Sequence, residues 1–311
     1  MSEKMNKITE DLLRIVSEWE DEGYTGAFNI RENGSCIGRQ NSEHIKIEPK
    51  EGGSGIDIYI DPYTKDEKVY IPACINTGGV FDKVYNDFHV GEGADVTIVA
   101  GCGVHTDGEE DSTHNGVHRF FLAKGARALY QEKHVGTGEG EGKRIIDPET
   151  EVFLEEGATL EMETSQIGGV DHTKRTTRGK LGKDARLIIH ESIMTEKDQY
   201  ASTDFVVDMD GEDSGVDLIS RSVAKDDSYQ EYRSKIKGNT RCTGHSECDA
   251  ILVGNGRVNA APELLAADLD AQLIHEAAIG KVAGEQILKL RSLGLTDEEA
   301  EQKIIDGFLR G

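Results

Sequence analysis

The sequence of 311 residues contains only 5 prolines, 5 cysteines and 1 tryptophan, and aromatic residues make up 6 % of it. An odd number of scattered cysteines excludes a disulfide framework and indicates thiols in a reducing compartment. No run of about 18 apolar residues is present, so we expect no segment to span a membrane. The N-terminal segment lacks the apolar region of a secretory signal, and we therefore expect a cytoplasmic protein.

Basic residues are also scarce. The chain has 35 lysines and arginines against 59 aspartates and glutamates, which gives a formal net charge of −24. A field of this sign repels the phosphates of nucleic acids and of anionic membranes, so we exclude both as direct partners. The simplest interpretation of the acidic residues is a solvated surface, although they would also suit a basic partner or a salty cytosol.

No nucleotide-binding motif is present. The segment GTGEGEGKR, residues 136–144, resembles a phosphate-binding loop only in its glycines. Thr137 stands where the first glycine of that motif is required, and Arg144 replaces the serine or threonine after the lysine. Two glutamates within the segment would repel a phosphate. We therefore expect this chain to bind no nucleotide.

A repeat of about 30 residues is present between residues 25 and 265. A small residue follows a turn and precedes an alternating apolar segment at Ala94, Ala126, Ala158, Ala185 and Gly215, in steps of 32, 32, 27 and 30 residues. Stacked strand-rich units of this length bury a shared core. The period predicts a mainly β fold, a β-solenoid, with a β-sandwich of regular hairpins as the alternative.

Helical spacing of apolar residues precedes and follows the repeat, which divides the chain into an N-terminal helix (1–24), the β core (25–265) and a C-terminal helical region (266–311). The residues that share one predicted C-terminal helix face are Ile279, Ala283, Ile287 and Leu290. Gly294 is a suitable C-cap. Thr296 and Glu299 form a capping box that starts a second helix. We expect this helical hairpin to pack on the end of the solenoid or on a partner.

The first cluster of candidate metal ligands lies in the middle of the chain and contains Cys102, His105, His114, His118 and His134. Thiolate and imidazole suit zinc, iron or copper. His114 and His118 would face the same side of a strand, and Cys102 and His134 are one repeat apart, so they could stack in register. A polar loop with hydrogen-bonded histidines remains the alternative.

The second cluster lies near the C-terminus and contains Cys248, His275 and Glu276. A thiolate binds iron strongly, and imidazole and carboxylate are weaker ligands. A single cysteine before an apolar segment is also typical of a buried small residue. The spacing alone leaves both interpretations open.

Two long segments resemble the SufB/SufD family of iron–sulfur cluster assembly proteins. They are GHSECDAILVGNG followed by AQLIHEAAIGKVAGEQILKLRSLGLTDEEAEQKIIDGFLRG, and NDFHVGEGADVTIVAGCGVH with HNGVHRFFLAKGARALYQEKHVG. The resemblance implies a right-handed parallel β-helix core with helical ends, which agrees with the repeat. The short N-terminal region is similar to a minimal, archaeal-style single-subunit form.

The resemblance implies a scaffold on which an iron–sulfur cluster is built and then transferred to apo acceptor proteins. It also implies a homodimer and a SufC-like ABC ATPase that docks on the C-terminal helices, here expected at 277–292 and 297–309. ATP hydrolysis would belong to that partner and not to this chain, which agrees with the missing phosphate loop.

The resemblance also implies site residues. Cys248 matches the assembly-site cysteine, and His275 and Glu276 match the HEA motif, so one chain carries all three expected ligands of a transient cluster of iron and sulfide. Cys102 matches a cysteine that is thought to receive sulfur. His134 lies near the place where SufB-type chains have a glutamine and a tryptophan, which departs from the family pattern.

Two other classes of function remain as alternatives. One is a zinc-binding structural protein that uses Cys102 and His105. The other is a β-helix enzyme acting on carbohydrate, which the low aromatic content disfavours.

Overall fold

The computed structural model describes residues 5–20 and 22–310. The predicted N-terminal helical region also includes residues 1–4 and 21, which lie outside the described residues. Helix α1 spans Lys7–Val16, and the Asn6 side chain caps it by accepting a hydrogen bond from the Ile8 amide. This is the arrangement that satisfies a free N–H at a helix start.

Two sheets of ten strands each form the body of the molecule. Sheet A contains the strands β1 Ala27–Glu32, β2 Ser35–Gln40, β5 Lys65–Ile75, β7 Asp95–His105, β9 Arg127–Thr137, β12 Thr159–Ile167, β14 Arg186–Thr195, β16 Ser214–Ala224, β18 Cys242–Leu252 and β20 Ala271–Lys281. Sheet B contains the strands β3 Ile45–Pro49, β4 Gly55–Ile60, β6 Phe81–Val90, β8 Ser112–Leu122, β10 Arg144–Ile146, β11 Glu149–Leu154, β13 His172–Leu181, β15 Tyr200–Met209, β17 Tyr229–Gly238 and β19 Arg257–Ala266.

The chain alternates between the two sheets, so each turn adds one parallel strand to sheet A and one to sheet B. Among the described strands, only the β1–β2 and β3–β4 pairs at the first end are antiparallel. From β5 onwards every sheet A neighbour is parallel, through β7, β9, β12, β14, β16 and β18 to β20. The predicted β-solenoid is confirmed, and the alternative β-sandwich is wrong because its hairpins would make antiparallel pairs.

The core lies between the two sheets, because alternate residues of each strand point inward. Phe88 and Phe120 stack there with ring centroids 4.6 Å apart, and Tyr130 packs edge-on against Phe120. Each fully buried aromatic side chain of this kind stabilises the fold by about 1.5–3 kcal/mol. The apolar core is therefore continuous from turn to turn.

The small residues of the sequence repeat occupy equivalent corners of successive turns. Ala94, Ala126, Ala158 and Ala185 are all fully buried. The prediction for the fifth position was wrong by one residue. Arg186 pairs with Gly215, so buried Ser214, not Gly215, is the counterpart of Ala185.

Helix α1 packs on the outer face of sheet A at β7. The two glycines that flank Cys102 make this possible. A Cβ atom on Gly101 would lie 2.4 Å from the Val16 carbonyl oxygen, and one on Gly103 would lie 2.8 Å from Leu12 Cδ2. The GCG sequence thus lets the helix cover the strand, while Cys102 points into the core.

The C-terminal helices begin later than predicted. Residues 271–281 form β20, and helix α2 spans only Gly284–Arg291. The expected helix at 277–292 is therefore wrong in its first part. Gly294 has a positive φ of 97° and lies three residues after the end of α2. The predicted capping box at Thr296 and Glu299 starts helix α3, Asp297–Arg310.

Helix α3 packs on the outer face of sheet A and not on the open end of the solenoid. Ile305 and Leu309 lie in a small apolar cluster with Val223 of β16. The Ser192 hydroxyl of β14 donates to the Leu309 carbonyl at 2.9 Å. Across the described residues, no helix combines the length and the apolar character needed to cross a membrane.

Candidate functional site

The parallel register arranges side chains from successive turns in columns along the inner face of sheet A. One column runs through Glu132, Thr164, Glu191, Ser220 and Cys248, because each residue pairs with the next across neighbouring strands. All five are buried. Buried polar groups destabilise a fold unless they form hydrogen bonds or ion pairs with one another.

The neighbouring column begins with Cys102 and His134. These residues are register partners on β7 and β9, which confirms the stacking predicted from their spacing. Both side chains are buried. Burial raises the pKa of the Cys102 thiol well above its ordinary value. As long as this side chain stays buried, its sulfur is therefore protonated.

His134 belongs to a buried charged group. Its Nε2 atom lies 3.3 Å from Glu132, and its Nδ1 atom accepts from Arg175 of β13 at 3.2 Å. Arg175 also donates to the second oxygen of Glu132 at 2.6 Å. Burial lowers the pKa of His134 and outweighs the opposite effect of the Glu132 charge. The imidazole is therefore neutral, with its proton on Nε2.

Arg175 links this group to the next part of the column. Its Nε atom lies 3.3 Å from Glu191, whose carboxylate also accepts from the hydroxyls of Thr203 at 3.0 Å and Ser220 at 2.9 Å. Burial raises the pKa of Glu191 despite these contacts. The guanidinium thus bridges Glu132 and Glu191, across the space between the sheets.

Cys248 lies at the end of this chain of contacts. It is 1 % exposed and pairs with Ser220 on one side and Ala277 on the other. Burial, together with the nearby charges of Glu191 and Asp249, raises the pKa of the Cys248 thiol to about 12. A thiolate able to bind iron therefore forms only when the site opens or when iron displaces the proton.

The structure separates the other two residues of the C-terminal cluster. Consecutive residues of β20 point to opposite faces, so His275 faces inward beside Ser246, whereas Glu276 faces outward beside Glu247. His275 Nδ1 is buried and has no hydrogen-bond partner among the described residues. Cys248 and His275 thus share the inner face at the end of the solenoid, and Glu276 does not.

Three histidines of the central cluster, His114, His118 and His134, line the same small internal cavity as Cys102, whereas His105 does not. His114 and His118 face the same side of β8, as predicted, and this side is the inner one. His114 contacts Asp82 at 3.1 Å, and His118 contacts the Tyr130 hydroxyl at 2.8 Å. Burial lowers the pKa of His118 to about 4. His105 lies on the opposite face of β7 from Cys102 and contacts Thr137 at 2.9 Å.

Within the described part of the chain, none of these five residues belongs to a group of three ligands close enough to share a metal ion. The alternative of a zinc site built on Cys102 and His105 has no support from this geometry, since the two side chains point to opposite faces of one strand.

The sequence did not identify three buried charged residues that lie between Cys102 and Cys248: Glu132, Arg175 and Glu191. A signal for two of them exists, because Glu132 and Glu191 occupy the same place in the repeat as Cys248. No such signal identifies Arg175, which reaches this column from the opposite sheet.

Comparison with known proteins agrees with this architecture. Residues 77–308 match the family described as "SUF system FeS cluster assembly, SufBD core domain". An iron–sulfur cluster assembly SufBD family protein of Methanothermobacter thermautotrophicus is 29 % identical over 246 residues, which cover 77 % of this chain and 58 % of that protein. This chain thus spans less than two thirds of that relative.

Two further archaeal proteins of the same description are similar over most of the chain. The protein of Archaeoglobus fulgidus is 28 % identical over 87 % of this chain and 72 % of its own length. The protein of Pyrococcus horikoshii is 26 % identical over 88 % of this chain and 83 % of its own length. The chain therefore belongs to the SufBD family of iron–sulfur cluster assembly proteins.

Proposed function

We propose that the chain is a scaffold that assembles an iron–sulfur cluster at Cys248 and transfers it to apo acceptor proteins. The observation that supports this best is the buried polar chain between Cys102 and Cys248, formed by His134, Glu132, Arg175, Glu191 and Ser220. A core of this kind serves no packing purpose that apolar residues would not serve as well. The cluster and its iron and sulfide are cargo in this proposal.

Cys102 is the proposed point of sulfur entry. Its neighbour His134 contacts Glu132, and Glu132 contacts Arg175, which in turn contacts Glu191. The register then leads through Ser220 to Cys248.

Cys248 and His275 are the proposed cluster ligands of one chain, because they share the inner face. Glu276 would act from the outer face, or after a rearrangement of β20, since it cannot reach the inner face of its own strand. A mixed ligand set binds a cluster less tightly than four thiolates, which suits a protein that must release it.

A homodimer is supported by the unpaired edges of the last turn. Strands β19 and β20 end their sheets, and the apolar residues exposed there include Leu264, Leu265, Ile274 and Ile279. An exposed apolar edge strand is a ready partner for another strand. Pairing of two copies at this edge would place Cys248 one strand away from the interface.

The partner that hydrolyses ATP is proposed to dock on α2 and α3. These two helices are the part of the 266–311 region that we assign to docking. Helix α2 buries none of its residues, and Leu288 and Leu293 are 61 % and 72 % exposed. Movement of these helices would displace α3 from β14 and β16. Because β16 pairs with β18, this movement would expose the buried Cys248 thiol. The assignment of 25–265 to the scaffold core and the cytoplasmic location stay predictions.

The carbohydrate-enzyme alternative finds little support. The rings of Tyr59, His89, Phe121 and Phe153 stack in a row on sheet B, and Asp57 lies 3.9 Å from His89. However, Lys50 bridges the carboxylates of Asp57 and Asp87, and Arg119 donates to Asp87 at 2.7 Å. Carboxylates neutralised in this way are unsuited to acid–base work.

Anaerobic reconstitution of the full chain with iron and sulfide tests the proposal. We expect visible absorbance of a cluster, with iron and acid-labile sulfide in comparable amounts. Zinc bound in place of iron, with no sulfide under any condition including added ATPase partner, would favour a structural metal protein.

A further inference from the structure

A second group of ligands lies on the outer face of sheet A, behind Cys248. His245 and Glu247 alternate with Ser246 and Cys248 along β18, so they point away from the core. Glu276 of β20 is the register partner of Glu247. Three potential ligands from two neighbouring strands therefore meet on this face.

The distances suit one metal ion. His245 Nε2 lies 3.6 Å from Glu276 Oε2, and the ligand atoms of His245, Glu247 and Glu276 all lie within 4.8 Å of one another. Ligands about 2.1 Å from a tetrahedral ion are about 3.4 Å apart. Small side-chain rotations are therefore enough to close the group around an ion.

A fourth residue orients the histidine. Asp217 of β16 contacts His245 Nδ1 at 2.8 Å. Nδ1–H therefore donates to the carboxylate, which leaves Nε2 as the ring nitrogen on the side of Glu276. Metal-binding histidines are commonly held by a carboxylate in this way.

Glu247 and Glu276 have no lysine or arginine paired with them in the described part of the chain, unlike the carboxylates of the other group of possible metal ligands in the structure. Asp57, Asp87 and His89 are equally close, but Lys50 contacts both aspartates. Among the described residues, no lysine or arginine forms an ion pair with Glu247 or Glu276. Like charges in register on neighbouring strands repel, so a bound cation would stabilise this edge.

We propose that His245, Glu247 and Glu276 bind one divalent iron ion on the outer face before it enters the cluster. Nitrogen and carboxylate ligands without thiolate suit iron(II) held as an exchangeable ion. Glu247 and Cys248 are consecutive residues of β18. The ion would therefore be bound on the outer face of this strand, and the assembly thiol lies on its inner face. The choice of iron as the ion rests on the proposed function.

The test is a titration of the full-length apo protein with iron(II) alone, under anaerobic conditions. Wild type should bind one ion, and Glu247→Gln and His245→Asn should each weaken binding about tenfold or more. Glu161→Gln, which removes an outer-face carboxylate of β12, should bind as wild type does. Titration with manganese(II), followed by electron paramagnetic resonance, should give the same order of variants.

Equal affinity in wild type, Glu247→Gln and His245→Asn would overturn this inference. Cluster formation in the same preparations separates it from the proposed function. Normal cluster formation with unchanged iron(II) affinity in both variants would refute the outer site alone. Site-dependent iron(II) binding in a protein that forms no cluster, even with its ATPase partner, would support the site and refute the scaffold.

Discussion

Arg175 Nε lies 3.3 Å from Glu191 in the interior of the solenoid, and the same guanidinium donates to Glu132 at 2.6 Å. The two carboxylates belong to sheet A, and the arginine belongs to sheet B. One cation thus compensates two buried carboxylates and joins the two sheets at the level of the proposed sulfur path.

Arg175→Met should destabilise the protein strongly, because it leaves two carboxylates buried without their cation. We expect a loss of about 3–5 kcal/mol in the free energy of unfolding, measured by urea denaturation. The matched control is Arg178→Met, which breaks the exposed pair with Asp204 and should cost about 1 kcal/mol or less. Similar losses in the two variants would contradict a structural role for the buried pair.

Stability should fall in acid through Asp82. Burial alone would raise the pKa of Asp82, but His114 and Arg31 outweigh it and lower the value to about 2. Because the folded value lies below the unfolded value of about 3.9, this group stabilises the fold above about pH 4 and loses that contribution as the pH falls towards 2.

The contribution of Asp82 is about 2 kcal/mol. Unfolding by urea between pH 2 and 5 should show this decline in wild type and in a variant of exposed Asp11, Asp11→Asn. Asp82→Asn should be less stable at pH 5 and should show a shallower decline. An unchanged slope in that variant would mean that other carboxyl groups cause the acid sensitivity.

Thiol reactivity should divide the cysteines into two classes. Cys36 is exposed, whereas Cys74, Cys102, Cys242 and Cys248 are buried. Mass spectrometry after brief treatment with iodoacetamide at pH 8 should find Cys36 modified and Cys248 intact, because the pKa of the Cys248 thiol is raised to about 12 by burial. Treatment of the urea-unfolded chain supplies the control. Equal rates for Cys36 and Cys248 in the native protein would show that the last turn opens freely.

Ile305→Ala should release α3 from the sheet. Ile305 is fully buried against Val223, and loss of such a side chain costs about 2–5 kcal/mol. Hydrogen exchange should become faster in α3 and less so in the solenoid. Leu288→Ala, at a side chain that is 61 % exposed, should leave exchange in α3 unchanged. Slow exchange of α3 in both variants would contradict the packing described above.

Much of the fold could be predicted from the period of the small residues, because each step of about 30 residues is one turn of the solenoid. The prediction of a helix from residue 277 was wrong because the repeat of about 30 residues was not continued beyond residue 265. Ser214 pairs with Cys242, and Cys242 pairs with Ala271. Two more steps would have identified β18 and β20. Ile279 and Ala283 instead matched helical spacing, which short apolar segments often do.

The candidate site could be predicted only in part. The spacing of Cys102 and His134 equals one repeat, so their pairing on neighbouring strands could be predicted from the sequence. The separation of His275 from Glu276 follows from strand alternation once β20 is known. The contacts of Arg175 depend on how the two sheets face each other, which a repeat within each sheet does not specify.

The most direct test of the central claim is cluster formation by Cys248→Ala and by Cys36→Ala, reconstituted anaerobically beside wild type with the same iron and sulfide. The account predicts that the visible absorbance and the acid-labile sulfide of wild type persist in Cys36→Ala and are lost in Cys248→Ala. A full cluster in Cys248→Ala would contradict it and would move the assembly site away from the end of the buried polar chain.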